Sequence, residues 1–263
     1  MQLFTRESGT VGGRPVVFLH GAERTGESWH PVVKRLQQYR CLTPDLPHHG
    51  ESQQDAAFDI SDAATAVAEV IRSRVPTGRV HLVGHSLGAQ VAAQLLASAP
   101  ELVDRAVLAG VVVNALPGVR ITRLLLGAVA GFSRSVQISA HENSHHADVL
   151  APEAMDDHDD ADLMSAEEIS QIVVASAGFT VPTDIERADS PTLFLSGGRE
   201  MPVVHPSAIM LSQRMPNGVD AIARGMDHDW PLHYPALFAR TVNCWLTGAA
   251  LPTQIELSKL EVL

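Results

Sequence analysis

The chain has 263 residues, 45% hydrophobic and 19% charged, which is ordinary globular composition and enough to bury one sizeable core with an insertion. The net charge of −11 is concentrated: residues 135–186 hold twelve Asp or Glu and no Lys or Arg, leaving 18 acids against 19 bases elsewhere. Such an acidic surface repels phosphate backbones and argues against nucleic acid as a partner, and the best apolar run, residues 124–132, is too short to cross a bilayer.

In chain order, residues 1–13 lack a basic start followed by an apolar core, so no secretion signal is expected. An apolar strand is predicted over 15–20, then a helix over 29–38 and a strand over 40–43. A helix follows over 61–75, with Ser61-Asp62 as its start. Next come a strand over 79–83, a helix over 89–99 and a strand over 105–111. After a long break, a strand (192–196), a helix (206–214), a strand (219–223) and a helix (234–247) complete the pattern. Continuous apolar strands alternating with helices predict an α/β fold, a mostly parallel central sheet with helices on both faces. The break, residues 114–190, reads as an all-helical insertion (121–136, 151–164 and 166–177) in a core formed by 1–113 and 191–263. The two cysteines, Cys41 in a predicted strand and Cys244 in a predicted helix, read as buried free thiols, and a cytoplasmic location is expected.

The chemistry-bearing run is Gly84-His85-Ser86-Leu87-Gly88, set between a strand and an alanine-rich helix. A serine hydroxyl becomes a useful nucleophile only when it projects freely and a base can take its proton. A sharp strand-to-helix turn projects it, and requires small residues two positions to either side. Glycine fills both places, avoiding collisions with the crowded backbone and tolerating unusual dihedrals.

Three further motifs accompany this one in order. They are Phe18-Leu19-His20-Gly21-Ala22; Pro44-Asp45-Leu46-Pro47-His48-His49-Gly50-Glu51-Ser52; and Met226-Asp227-His228-Asp229-Trp230-Pro231. Together the four resemble the α/β-hydrolase family over nearly the whole chain. The resemblance implies that fold with a helical cap over residues 114–190, and a catalytic triad. Ser86 would be the nucleophile, His228 the base that takes and returns its proton, and Glu200, in Ser196-Gly197-Gly198-Arg199-Glu200, the acid that orients the imidazole. Glutamate there departs from the commoner aspartate. The family's other acid position falls near Asn114, which carries no charge. The backbone amides of Ala22 and Leu87 would form the oxyanion hole. His48 replaces the family's usual glycine, and a slight change of loop backbone is expected there.

The other chemistry-bearing side chains read more plainly. His20 and His85 shape the loops beside the nucleophile, and His49 secures its own loop. Asp227 and Asp229 are a turn residue and a rim charge. Glu23 either faces solvent or presents a carboxylate at the mouth of the site, and Trp29 and Trp230 are core or rim packing. His141, His145, His146 and His158 crowd the acidic insertion, but no pair at i, i+4 spacing comes with the third ligand that a zinc site needs, so no metal is expected. No cofactor-binding loop is present.

Leu124, Leu125, Val129, Phe132, Ile169, Val173 and Val174 recur at helical spacing and pack the insertion onto the core, a few lining the pocket. With no cation over 135–186, the expected partner is a neutral, apolar small molecule, although Arg24, Arg120, Arg123 or Arg134 could supply a positive charge. The activity that the resemblance implies is a serine hydrolase, a carboxylic ester hydrolase cleaving a small-to-medium hydrophobic ester or lactone through an acyl-enzyme. The alternatives are a C–C bond hydrolase, a cofactor-free perhydrolase, a thioesterase, an acyltransferase, or a small-molecule receptor with slow hydrolysis.

Overall fold

The computed structural model describes residues 2–54, 56–75, 78–114 and 164–258. Eight strands form one sheet: β1 (Thr5–Gly9), β2 (Arg14–Leu19), β3 (Tyr39–Pro44), β4 (Val80–His85), β5 (Val103–Ala109), β6 (Thr192–Gly197), β7 (Gly218–Ala223) and β8 (Ile255–Leu257). Their order is β1-β3-β2-β4-β5-β6-β7-β8. The six inner strands run parallel, in the succession expected of right-handed strand–helix–strand crossovers. Both edges are antiparallel, β1 on β3 and β8 on β7.

The helices among the described residues are α1 (His30–Val33), α2 (Ile60–Arg74), α3 (Leu87–Ser98), α4 (Ala166–Gly178), α5 (Val204–Arg214), α6 (Trp230–His233) and α7 (Pro235–Thr247). They cover both faces of the sheet, as the apolar strands require. Successive strand residues point to opposite sides, so Val17, Leu19 and Leu82 join one core with α2, α3, α4 and α5. Val16, Phe18 and Val83 join another with α1, α6 and α7. Trp29 and Trp230 are fully buried in this second core, both against Phe238, so packing is their role.

Several local expectations are corrected. The helix after β3 starts at Ile60, because Asp59 rather than Ser61 caps it: Asp59 Oδ1 accepts from the Ser61 and Asp62 amides at 2.7 and 3.0 Å. The helix expected over 29–38 closes after Val33 into tight turns, with Arg35 and Leu36 donating to the carbonyls three residues back. Edge strands β1 and β8 and the short α6 were not expected. Cys41 is buried, but Cys244 is only half-buried on α7; both are free thiols. The expected helix over 121–136 lies outside the described residues, as does that over 151–164 except for its last residue, and so do Leu124, Leu125, Val129, Phe132, Arg120, Arg123, Arg134, His141, His145, His146 and His158. The last expected helix of the insertion is α4, capped by reciprocal bonds between Ser165 and Glu168. Ile172 turns from it into the core. Among the described residues, no helix is long and apolar enough to cross a membrane.

Candidate active site

The site stands at the carboxyl ends of the central strands, where β4, β6 and β7 each release a loop. Strand β4 runs on through His85 and α3 begins at Leu87, so the whole turn is made by Ser86. That serine takes φ 54° and ψ −115°, a region that L-residues enter only under strain. The flanking glycines are needed for proximity instead. A β-carbon on Gly84 would meet the Gly88 carbonyl oxygen at 2.5 Å, and one on Gly88 would meet the Leu19 carbonyl oxygen at 2.2 Å. The unusual dihedrals expected of glycine thus fall on the serine itself. Its amide donates to the Ala109 carbonyl at 2.9 Å, which pins the turn to the end of β5.

His228 comes from the loop after β7, and its Nε2 lies 3.0 Å from Ser86 Oγ. On the other side of the ring, Nδ1 faces Glu200 Oε2 at 3.6 Å. Neither of these two atoms has another hydrogen-bond partner. The Glu200 side chain, 2% exposed, is held from behind by the Gly197 amide, which donates to its Oε1 at 3.0 Å. The three residues singled out from sequence are therefore brought together in one line. Burial alone would lower the pKa of His228, but the Glu200 carboxylate, helped by Asp229 and Asp227, outweighs it and raises the value.

Leu87, the first residue of α3, presents an amide that no residue of its own helix can accept. The Gly21 backbone lies close to the turn, since a β-carbon there would be 3.5 Å from Ser86 Cβ. This brings Ala22, the next residue, beside the serine. His20 supports the same loop: its Nε2 accepts from the Leu46 amide at 2.9 Å, so Nδ1 carries the proton and donates to the Gly21 carbonyl at 2.8 Å. Burial, with His49 alongside, keeps this imidazole well below its ordinary pKa. His49 does secure its own loop, with Nδ1 2.9 Å from the Pro47 carbonyl. His48 takes φ 67°, so it sits in the left-handed region that suits glycine.

Asp227 Oδ2 lies 3.4 Å from His233 Nδ1 and Asp229 Oδ1 lies 3.8 Å from His85 Nε2, so neither replaces Glu200 behind the His228 imidazole. Glu23 is half-buried with φ 60°. Among the described residues, His85, His228 and Asp229 form the group whose potential ligand atoms lie within 4.8 Å of one another. Both histidines already hydrogen-bond within the site.

Three supporting residues were not singled out. Gly110, after β5, leaves room for the His228 ring. Gln90, one turn beyond Ser86, donates to the carbonyls of Val112 and Ser176 and accepts from Ser176 Oγ, at 2.8, 3.0 and 2.8 Å. Asp45 is fully buried, accepting from Arg6, the Gly26 amide and the Glu51 amide at 2.7, 2.8 and 3.0 Å. The motif around Asp45 was legible; the partners of all three were not.

Comparison with known proteins agrees with this fold. Residues 16–241 match the model of the alpha/beta hydrolase family. An AB hydrolase superfamily protein of Gibberella zeae is 27% identical over 262 residues, covering 95% of this chain and 86% of the relative. The pimeloyl-[acyl-carrier protein] methyl ester esterase of Nitrosomonas europaea is 44% identical over 100 residues, a match spanning only 38% of either chain. Among solved structures, the enol-lactonase from Burkholderia xenovorans LB400 superposes with a TM-score of 0.70 at 17% identity, covering 93% of this chain and 96% of that one.

Proposed function

The chain belongs to the alpha/beta hydrolase family, and from that premise we propose that it is a serine hydrolase cleaving a neutral, apolar carboxylic ester or lactone through an acyl-enzyme. The observation that carries this reading is the 3.0 Å contact between His228 Nε2 and Ser86 Oγ, made by a serine projected from a strained turn. The esterase and lactonase among its relatives support the same class of bond.

In the first half-reaction Ser86 Oγ attacks the substrate carbonyl carbon while its proton passes to His228 Nε2. The carbonyl oxygen gains the electron pair and faces the amides of Leu87 and Ala22, a kind of contact whose loss costs about 3–4 kcal/mol in serine hydrolases. The oxyanion collapses, the carbon–oxygen bond to the leaving alcohol breaks, and His228 returns the proton to it. Water then repeats the sequence against the acyl-serine and releases the acid. Glu200 keeps Nδ1 protonated and stabilises the imidazolium formed in both halves. In this reading residues 114–190 are the insertion that covers the site and sets its substrate range.

The test is to incubate the protein and its Ser86→Ala variant with short and medium activated esters and lactones, recording turnover and intact mass. Turnover by the parent alone, with an acyl adduct on Ser86, supports the reading. Equal activity in the two proteins and no adduct rejects Ser86 as nucleophile and favours a receptor on this scaffold.

A further inference from the structure

We propose that His85 is a positioning residue for the reaction: its Nε2–H holds the backbone of His228 and so registers the base against the nucleophile. The proposal rests on the serine-hydrolase reading above.

His85 Nε2 lies 2.9 Å from the His228 carbonyl oxygen. A carbonyl can only accept, so the ring must carry its proton on Nε2. His85 immediately precedes Ser86, and the two sit at the junction of β4 and α3. One hydrogen bond therefore joins the residue next to the nucleophile to the residue that carries the base, across 143 positions of sequence. It uses neither reacting atom. The loop after β7 is tied on its other side to the loop after β6, where the Arg199 amide donates to the Met226 carbonyl at 2.8 Å; the His85 bond ties it to the turn and so bears on the distance between Ser86 Oγ and His228 Nε2.

The surroundings suit a fixed donor better than a proton carrier. His85 is 3% exposed. Its ring packs against the His228 ring, centroids 5.0 Å apart, and edge-on to Trp29 at 6.5 Å. Asp229 Oδ1 is 3.8 Å from Nε2, and Arg24 adds a positive charge nearby. Burial, followed by the influence of His228, holds the pKa of His85 well below the ordinary imidazole value, against the smaller upward pull of Asp229. The ring is thus neutral when His228 cycles through its charged form, and does not compete for the proton.

The experiment compares the full chain with His85→Gln, whose amide N–H reaches about as far as Nε2, and with His85→Leu, which fills the space without a donor. Where His85→Leu fails to fold, His85→Asn replaces it, because its shorter amide cannot reach the carbonyl. The readouts are p-nitrophenyl butyrate hydrolysis across pH and the rate of Ser86 phosphonylation by a fluorophosphonate. A misplaced base predicts a fall in kcat of about 10- to 100-fold for His85→Leu, with KM nearly unchanged and both rates falling together. His85→Gln recovers most of the loss, with the acid limb of the pH profile at the same midpoint as the parent. Equal losses in the Gln and Leu variants would show that the imidazole itself is required and overturn the proposal; so would an unimpaired Leu variant. A parent that neither hydrolyses the ester nor takes up the fluorophosphonate instead overturns the serine-hydrolase reading, a result distinct from variants that fail beside an active parent.

Discussion

Gly110 lies directly against the imidazole of His228: a β-carbon at position 110 would stand 2.7 Å from its Cε1 and 3.0 Å from its Nδ1. Gly110 also has φ 68°, so an alanine there meets both a strained backbone and a ring in its way. Gly110→Ala is expected to cost about 1–3 kcal/mol of stability through the backbone. It also displaces the base, so kcat/KM falls by about 100-fold. Steady-state kinetics beside a denaturant titration checks both; an active Gly110→Ala enzyme contradicts the packing.

In the proposed reaction, Glu200 sets the pH at which His228 acts as base. The base must be neutral to accept the serine proton, so a raised pKa places the acid limb of kcat/KM above about pH 6.5, the ordinary imidazole value. In Glu200→Gln burial is left to dominate and the midpoint moves down, while kcat falls by about 10²- to 10⁴-fold. The linkage has the same sign. Stability conferred by a raised imidazole pKa is fully present below the unfolded value and is lost as pH rises through the folded one. Parent and variant should therefore differ more in denaturation midpoint at pH 5.5 than at pH 9. A midpoint of activity that stays in place on substitution removes Glu200 from this role.

Asp45 ties β1 to the loop that follows β3. Replacing it with alanine leaves Arg6 without its closest carboxylate and the amides of Gly26 and Glu51 without an acceptor. Arg6 is partly exposed and keeps Glu27 at 3.2 Å, so the cost is chiefly that of the buried Gly26 amide left without its acceptor, about 1–3 kcal/mol. Urea denaturation of Asp45→Ala measures it, and a midpoint equal to the parent's rejects the account.

Gln90 is fully used, both amide hydrogens and its oxygen being engaged. Gln90→Leu keeps the volume and takes the donor from the Val112 carbonyl, whereas the Ser176 carbonyl keeps the Phe179 amide at 3.2 Å, at a cost of about 1–3 kcal/mol. The Asn114 amide, which donates to Phe179 at the same junction, should exchange its hydrogen faster in the variant. Unchanged exchange there would mean that Gln90 does not hold these segments together.

The inner sheet was legible because parallel strands buried on two faces must be continuously apolar, as Val16 to Leu19 and Leu193 to Leu195 are. The edges were not. Thr5–Gly9 carries Arg, Glu and Ser, and becomes a strand only because β3 offers it a ladder. Ser86, His228 and Glu200, which the structure brings together, were legible as residue types at set places along the chain. What steadies them was not, for distinct reasons. His85 acts on a backbone carbonyl, which every residue possesses; Gly110 acts by what it lacks. The cap of α2 was missed by two residues, because Asp59, Ser61 and Asp62 are all competent caps and only the backbone chooses between them.

The antiparallel edges bear on how this molecule meets its own kind. At one margin of the sheet, β1 is crossed by ion pairs from Glu7 to Arg40 and Arg74 and from Arg6 to Asp45. At the other, β8 is three residues long, with Glu256 joined to Arg224. Short or charged margins make poor templates for a further strand. Copies crowded together during synthesis are thereby discouraged from stitching their sheets into one another along these two margins.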